Sequence, residues 1–224
     1  MTLAIIGGTS IRFSSLPPLK EKIISTPYGK SKVLSGDVII LQRHQGDVPP
    51  HRINHCANLA ALAILGIDRI IAFSSSGSLK RGITPGSVVI PSDFISLFDI
   101  PSTHDHSISH VMPQMSARLC KELASEFPSA QSGGVYIQTR GPRIETVAEV
   151  RALAGVADIV GMTLASEATL ACELGMEFAA VCTVDNYANG ISDDVMSWEQ
   201  VIETTKKFSE RTREMIVTII ERFG

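Results

Sequence analysis

No CxxC pair links any of the four cysteines. Cys56, Cys120, Cys172 and Cys182 are scattered through apolar segments, a pattern that fits reduced, buried thiols in a cytoplasmic protein. There is no excess of basic residues: the formal net charge is −3, and nucleic-acid binders usually carry a basic face, so no nucleic-acid partner is expected. No run of about 18 apolar residues occurs, so no membrane span is expected. Met1 to Ile6 carries no basic leader and no cleavage pattern, so no secretory signal is expected. No HExxH helix is present, and Gly7-Gly8-Thr9-Ser10 is not a GxGxxG fingerprint; neither a metalloprotease-type metal site nor a dinucleotide cofactor is supported. Linkers, internal repeats and low-complexity tracts are also missing, so residues 1–224 are read as one domain.

What remains is a compact enzyme-like composition, 44% hydrophobic and 19% charged. Short apolar runs bounded by turn residues alternate with helical patterns. Strands are expected at Leu3–Ile6, Val38–Leu41, Ile70–Phe73, Gly86–Ile90, Gly134–Gln138, Asp158–Val160 and Phe178–Val184. Helices are expected from Asn54 to Leu65 with Gly66 behind it, Arg118 to Phe127, Thr146 to Ala154 with Gly155 as C-cap, and Thr163 to Leu174. A long amphipathic helix is read over Ser197–Phe223, with Ser197 and Gln200 resembling a capping box. The fold class that follows is α/β, a single-domain, mixed and largely parallel twisted β-sheet flanked by helices.

The chemistry sits where strands end. Ser74-Ser75-Ser76-Gly77-Ser78 follows the central strand; it is an ordinary polar turn or a place where backbone and hydroxyl donors meet an anion. Arg43-His44 ends the preceding strand, either as a surface pair or as a phosphate fork with a second donor beside it. Gly7-Gly8-Thr9 can hold a phosphate through backbone N–H groups. Thr163 opens a helix and is either a plain N-cap or an anion site. If these ends share one sheet edge, they surround one anion with hydroxyl, amide and guanidinium donors, which suits inorganic phosphate. Ile144-Glu145 and Asn186 add an apolar face and an amide that suit a flat heterocycle. His104, His106 and His110, with Asp105, are read as a polar loop rather than a metal cluster.

Six segments in this order resemble the trimeric purine nucleoside phosphorylases: Gly7-Gly8-Thr9, Arg43-His44, Pro50-His51-Arg52-Ile53-Asn54, Ser75-Ser76-Gly77-Ser78-Leu79, Gly141-Pro142-Arg143-Ile144-Glu145-Thr146 and Gly161-Met162-Thr163. The opening glycines and the Arg-His pair resemble the 5′-methylthioadenosine and 5′-methylthioinosine phosphorylase branch. The resemblance implies the nucleoside phosphorylase fold, inorganic phosphate as co-substrate, no other cofactor and a homotrimer. It implies that Thr9, Arg43, His44, Ser75 and Thr163 hold phosphate and that Met162 lies under the ribose. Ser76, Gly77, Ile144, Asn186 and Ala188 would form the base pocket, with isoleucine at a position where the family usually has phenylalanine. Asn186 and His44 would be the catalytic pair, and His104, His106 or His110 would reach the 5′-group of a neighbouring subunit's substrate.

Adenine-specific members resemble Asp-Tyr-Asp where this chain has Asn186-Tyr187-Ala188. An asparagine can donate its NH₂ to a purine O6 while its carbonyl accepts from N7–H, so the lean is to 6-oxopurines, with 5′-methylthioinosine ahead of inosine. The expected reaction is phosphorolysis of a purine ribonucleoside. The alternatives are a 5′-methylthioadenosine phosphorylase, a nucleosidase using water, and a non-catalytic nucleoside- or anion-binding protein.

Overall fold

A computed structural model describes residues 2–8, 11, 19–97, 100–106, 108–192, 203–204 and 207–224. In chain order the strands are β1 (Leu3–Gly7), β2 (Lys20–Thr26), β3 (Gly29–Ser35), β4 (Ile39–Gln42), β5 (Arg69–Ser78), β6 (Val88–Ile90), β7 (Asp93–Ser96), β8 (Gln131–Ser132), β9 (Val135–Gln138), β10 (Ile159–Gly161) and β11 (Glu177–Tyr187). The α-helices are α1 (His55–Ile64), α2 (Ala117–Glu126), α3 (Val147–Leu153), α4 (Leu164–Glu173) and α5 (Ser209–Phe223). Ser197, Gln200 and Val201, expected to open the last helix, lie outside the described residues.

All eleven strands join one mixed sheet in the order β2-β3-β4-β1-β5-β10-β9-β7, with β11 pairing β5 and β6, and β8 pairing β6. Apolar side chains alternate across it, as a strand buried on both faces requires. Ala4, Ile6, Ile70, Ala72, Phe178 and Ala180 pack on one face with Leu59 and Leu62 of α1 and Leu164, Ala168 and Leu170 of α4. Leu3, Ile5, Ile71, Phe73, Ala179 and Val181 pack on the other with Leu119 and Leu123 of α2 and Met215, Ile216 and Ile219 of α5. Sequence signals end these helices where expected: Asn54 caps α1 through Ala57 N–H, and Thr146 and Glu149 form a reciprocal capping box on α3. Gly66, at φ +72°, turns the chain after α1. Behind α3, by contrast, the C-cap is Ala154 in helical geometry rather than Gly155.

Two strands outrun their apolar runs. β5 continues from Phe73 through the whole serine tract to Ser78, and β11 continues through Asp185-Asn186-Tyr187, because the two pair in parallel all the way to Tyr187↔Ser78. Backbone hydrogen bonding to a long neighbour overrides the turn-like composition. A bulge between Val184 and Asn186 shifts the register of β11 against β5 at Asp185. The β5 extension also divides the sheet. β1 accompanies β5 in parallel only as far as Gly7↔Phe73, whereas β10 meets it antiparallel at Val160↔Gly77 and Ile159↔Ser78. Among the described residues, Ser74–Ser76 therefore face a gap between β1 and β10. Strand β7, not foreseen from Pro91-Ser92-Asp93-Phe94, runs parallel to β9.

Phe178 is 1% exposed within the larger apolar cluster. Phe178→Ala should lower stability by about 3–5 kcal/mol, seen as a lower urea midpoint. Ile23→Ala, at a residue 64% exposed, should move it by less than about 0.5 kcal/mol. Equal shifts would contradict this placement of the core.

Candidate active site

The gap in the sheet collects the polar groups. Parallel pairing sets Gly7 beside Gln42 on one side and Phe73 on the other, so Gly8 and Arg43 leave the sheet together, beside Ser74 of the continuing β5. Arg43 N–H donates to Gly7 O (2.9 Å), and Asn58 of α1 holds Arg43 O (3.0 Å). After His44 the chain turns through Gln45 at φ +47°, a conformation that ordinary side chains rarely adopt. The Gln45 amide stabilises that turn by bonding Lys32 N–H (2.7 Å) and Lys32 O (3.0 Å).

Arg43 is not an open phosphate fork. It is 2% exposed, and its Nε and Nη2 donate to the two carboxylate oxygens of Glu167 (2.6 and 3.0 Å), itself 1% exposed. Nη1 donates to Phe73 O (2.8 Å). Of five N–H groups, one on each terminal nitrogen remains. A Cβ on Gly8 would come 2.5 Å from Nη1 and 3.4 Å from His44 Nε2, so the glycine lets the backbone lie directly against both. His44 Nδ1–H donates to Val48 O (2.8 Å). Its Nε2 can therefore donate to an anion only as imidazolium, and otherwise accepts a proton from a protonated one.

β10 delivers the fourth wall. Running antiparallel to β5, it carries Met162 and Thr163 back along the serine tract and sets the start of α4 beside Arg43, where Glu167 occupies the first turn. Thr163 occupies the N-cap position, yet its side chain makes no cap hydrogen bond. Strand β9 supplies the partners instead. Tyr136 Oη accepts from Thr163 N–H (3.4 Å) and Leu164 N–H (3.5 Å), and Gln138 Oε1 accepts from Ser166 N–H (2.9 Å). Burial holds the Tyr136 phenol well above its ordinary value, so it stays neutral. The helix end thus offers the buried Thr163 hydroxyl more than its amides.

Strand alternation sorts the serines. Ser74 and Ser76 belong to the face of Ala72, α1 and α4, whereas the Ser75 hydroxyl lies opposite and donates to the buried carboxylate of Asp185. The Ser75 side chain, which the resemblance assigned to phosphate, is therefore engaged away from Arg43 and Thr163, and Ser74 of the same tract lies on their side. Alternation continued from Ile70 was the available signal. Thr9 lies outside the described residues.

The base-pocket candidates come together at the far end of β5. Gly77 pairs with Asn186, and a Cβ there would meet Asn186 Nδ2 at 3.4 Å and Ala188 Cβ at 3.7 Å. Asn186 Nδ2 donates to Tyr187 O (2.7 Å), which sets the amide plane. Ser76 is buried with no partner for its Oγ in the structure. Ile144 is 38% exposed at the corner before α3. Beside it, Glu145 is buried and accepts from Thr139 Oγ1 (2.6 Å), while Asn189 Nδ2 donates to Glu145 O (3.3 Å). From sequence, Ile144-Glu145 was named as an apolar face for a heterocycle, and this carboxylate was given no role of its own.

Met162 lines a cleft of about 190 Å³ with His51, His55, Pro101, Gln138 and Ser166 among its walls. Its Sδ packs against Gly141, whose φ of +63° needs glycine. His104, His106 and His110 do not line that cleft. They sit on the 101–114 segment, which Glu173 anchors through Ser102 Oγ and Thr103 N–H and Oγ1 (2.9, 2.6 and 2.8 Å). His106 and His110 are exposed and His104 is half-buried. Among the described residues no group of three or more His, Cys, Asp or Glu is placed to hold a metal ion. Nor is any described helix long and apolar enough to cross a membrane.

An interrupted α/β sheet whose strand ends gather a buried arginine, a histidine, hydroxyls and an amide has the form of a small-molecule enzyme site. Residues 2–221 match the phosphorylase superfamily, and the chain belongs to that family. It is 41% identical to the "Probable 6-oxopurine nucleoside phosphorylase" of Archaeoglobus fulgidus, over 98% of this chain and 94% of that protein. It is 36% identical to the "Probable S-methyl-5′-thioinosine phosphorylase" of Methanocaldococcus jannaschii, over 99% and 91%. A methylthioadenosine phosphorylase from Schistosoma mansoni, solved with adenine, shares the fold at a TM-score of 0.83 and 24% identity, over 100% of this chain and 92% of that one.

Two measurements check the site's electrostatics. Glu167→Gln strands a buried guanidinium and should cost about 3–5 kcal/mol, while Arg43→Met with Glu167→Leu should be less destabilising than Glu167→Gln; denaturation midpoints of the variants decide it. Burial first, then Arg43 and His44 nearby, lower His55 from 6.5 to about 3. Between those values the unfolded chain binds the extra proton, so stability falls as pH drops below about 6.5. His55→Phe should flatten that part of the stability–pH curve; an unchanged slope would contradict a neutral buried His55.

Proposed function

We propose that the protein catalyses reversible phosphorolysis of purine ribonucleosides, yielding free base and ribose 1-phosphate. The preferred substrates are 6-oxopurine nucleosides, 5′-methylthioinosine first. The observation that carries the reading is the gap beside Ser74–Ser76, where Arg43 Nη1 and His44 Nε2 both lie against Gly8 and Glu167 ties the helix that Thr163 opens to Arg43. Phosphate needs several donors converging on one point, and a nucleosidase would have no use for them.

In this reading the remaining Arg43 N–H groups, His44, the Thr163 and Ser74 hydroxyls, the Ser75 backbone N–H and Thr9 hold phosphate beneath C1′. A phosphate oxygen attacks C1′ as the C1′–N9 bond breaks, and the purine leaves with the bonding electron pair. Positive charge on the ribose is stabilised by the phosphate itself, and negative charge on the base by Asn186. The second amide hydrogen of Asn186 serves O6 while its carbonyl accepts from N7–H. Glu145 favours the same bases, because a 6-oxopurine presents an N1–H donor where adenine presents a lone pair. Gly77 and Ala188 leave room for the ring, Ser76 lies behind it, Ile144 covers it and Met162 underlies the sugar. No cofactor beyond phosphate takes part.

The site is completed, in the same proposal, by neighbouring copies in a cytoplasmic homotrimer acting in purine salvage. Ile108 and Met112, 95% and 89% exposed, make the 101–114 segment an apolar surface of the kind a partner subunit covers. His104, His106 or His110 would then reach a neighbour's 5′-group.

Release of free base from 5′-methylthioinosine, 5′-methylthioadenosine, inosine and adenosine, with and without phosphate, tests the proposal. Cleavage should require phosphate and favour the 6-oxo substrates, and Asn186→Ala should lower turnover on inosine by about 10²-fold. Preference for 5′-methylthioadenosine would overturn the base reading, phosphate-independent cleavage would mean a nucleosidase, and binding without cleavage would mean a binding protein.

A further inference from the structure

Among the buried side-chain polar atoms without a partner in the described residues, His55 Nδ1 belongs to a residue that lines the Met162 cleft. His55 opens α1 and is 8% exposed. Its Nδ1 is buried with no hydrogen-bond partner, although a buried polar atom left unsatisfied costs free energy. The same side chain lines the cleft that contains Met162. It also lies close enough to Arg43 and His44 to feel their charge, which helps to keep it neutral.

We propose that His55 receives a ribose hydroxyl through Nδ1 and thereby sets a preference for ribonucleosides over deoxyribonucleosides. This rests on the nucleoside phosphorolysis proposed above. Three observations favour a sugar hydroxyl over phosphate or base. A neutral imidazole offers either an N–H or a lone pair at Nδ1, and a hydroxyl, being donor and acceptor at once, satisfies both tautomers. Phosphate oxygens are chiefly acceptors, and the donors that suit them are grouped at Gly8, in Arg43 and His44. The base pocket gathers at Gly77 and Asn186, at the other end of the serine tract. Between the two lies Met162, one residue before Thr163, and His55 shares its cleft.

The experiment measures kcat/KM for inosine, 2′-deoxyinosine and 3′-deoxyinosine with the native enzyme, His55→Phe and His55→Asn. In His55→Phe the ribo-to-deoxy ratio should fall about five- to tenfold for one of the two deoxy isomers, the change one net hydrogen bond makes. His55→Asn, which keeps a polar atom near the place of Nδ1, should retain most of the ratio. A merely structural role would lower all three substrates together. An unchanged ratio for both isomers in His55→Phe overturns the proposal.

Should the phenylalanine variant fail to fold, ring-¹⁵N NMR of the native protein decides. The Nδ1 resonance of His55 should move on adding inosine and less on adding the deoxy isomer it discriminates against. Equal response to all three ligands would refute the assignment. If the native enzyme cleaves nothing, the phosphorolysis reading fails separately, and calorimetric affinities for the three nucleosides still test His55.

Discussion

Arg43 and Glu167 meet in the interior from positions 124 residues apart, and the geometry of the candidate site depends on that meeting. Each ion alone would be expensive to bury; together, with two parallel hydrogen bonds and a third from Nη1 to Phe73 O, the cost is largely offset. The pair ties the end of β4 to the first turn of α4 across the middle of β5. It also orients the guanidinium so that its remaining hydrogens are held in one direction before any ligand arrives. A flexible surface arginine would have to be ordered at each binding event.

The sheet makes that meeting possible. If β5 stopped at Phe73, as its apolar run suggests, β10 would lose its antiparallel partner and keep only β9. Because the serine tract continues as strand, β1 and β10 contact it at different heights and leave an opening between them. Small hydroxyl residues suit this stretch for two reasons. They tolerate burial when hydrogen-bonded, and they leave space for a ligand where larger side chains would fill it. Gly8, Gly77 and Gly141 keep the opening clear, each with a functional candidate packed where a Cβ would be.

Most secondary structure was legible because period and punctuation agreed: Asn54, Thr146 and Gly66 mark helix ends by local hydrogen bonding and backbone freedom. The errors have a common cause. The ends of β5 and β11 and the existence of β7 are decided by pairing with strands distant in sequence, which composition does not encode. The same holds in the site. Arg43, His44, Thr163 and Asn186 were identifiable as residue types after strands, whereas the directions of the Ser74 and Glu145 side chains and the burial of His55 depend on packing.

The sequence by itself determined which chemical groups follow which strand, and hence an α/β protein whose motifs resemble the nucleoside phosphorylases. Local physics is sufficient for that, since turns, caps and apolar runs depend on near neighbours. Only the tertiary structure decided that Arg43 is committed to Glu167, that the Ser75 hydroxyl belongs to Asp185 and that Thr163 does not cap its helix through its side chain. Those outcomes depend on which partner lies within about 3 Å, and that is fixed by the packing of segments far apart along the chain.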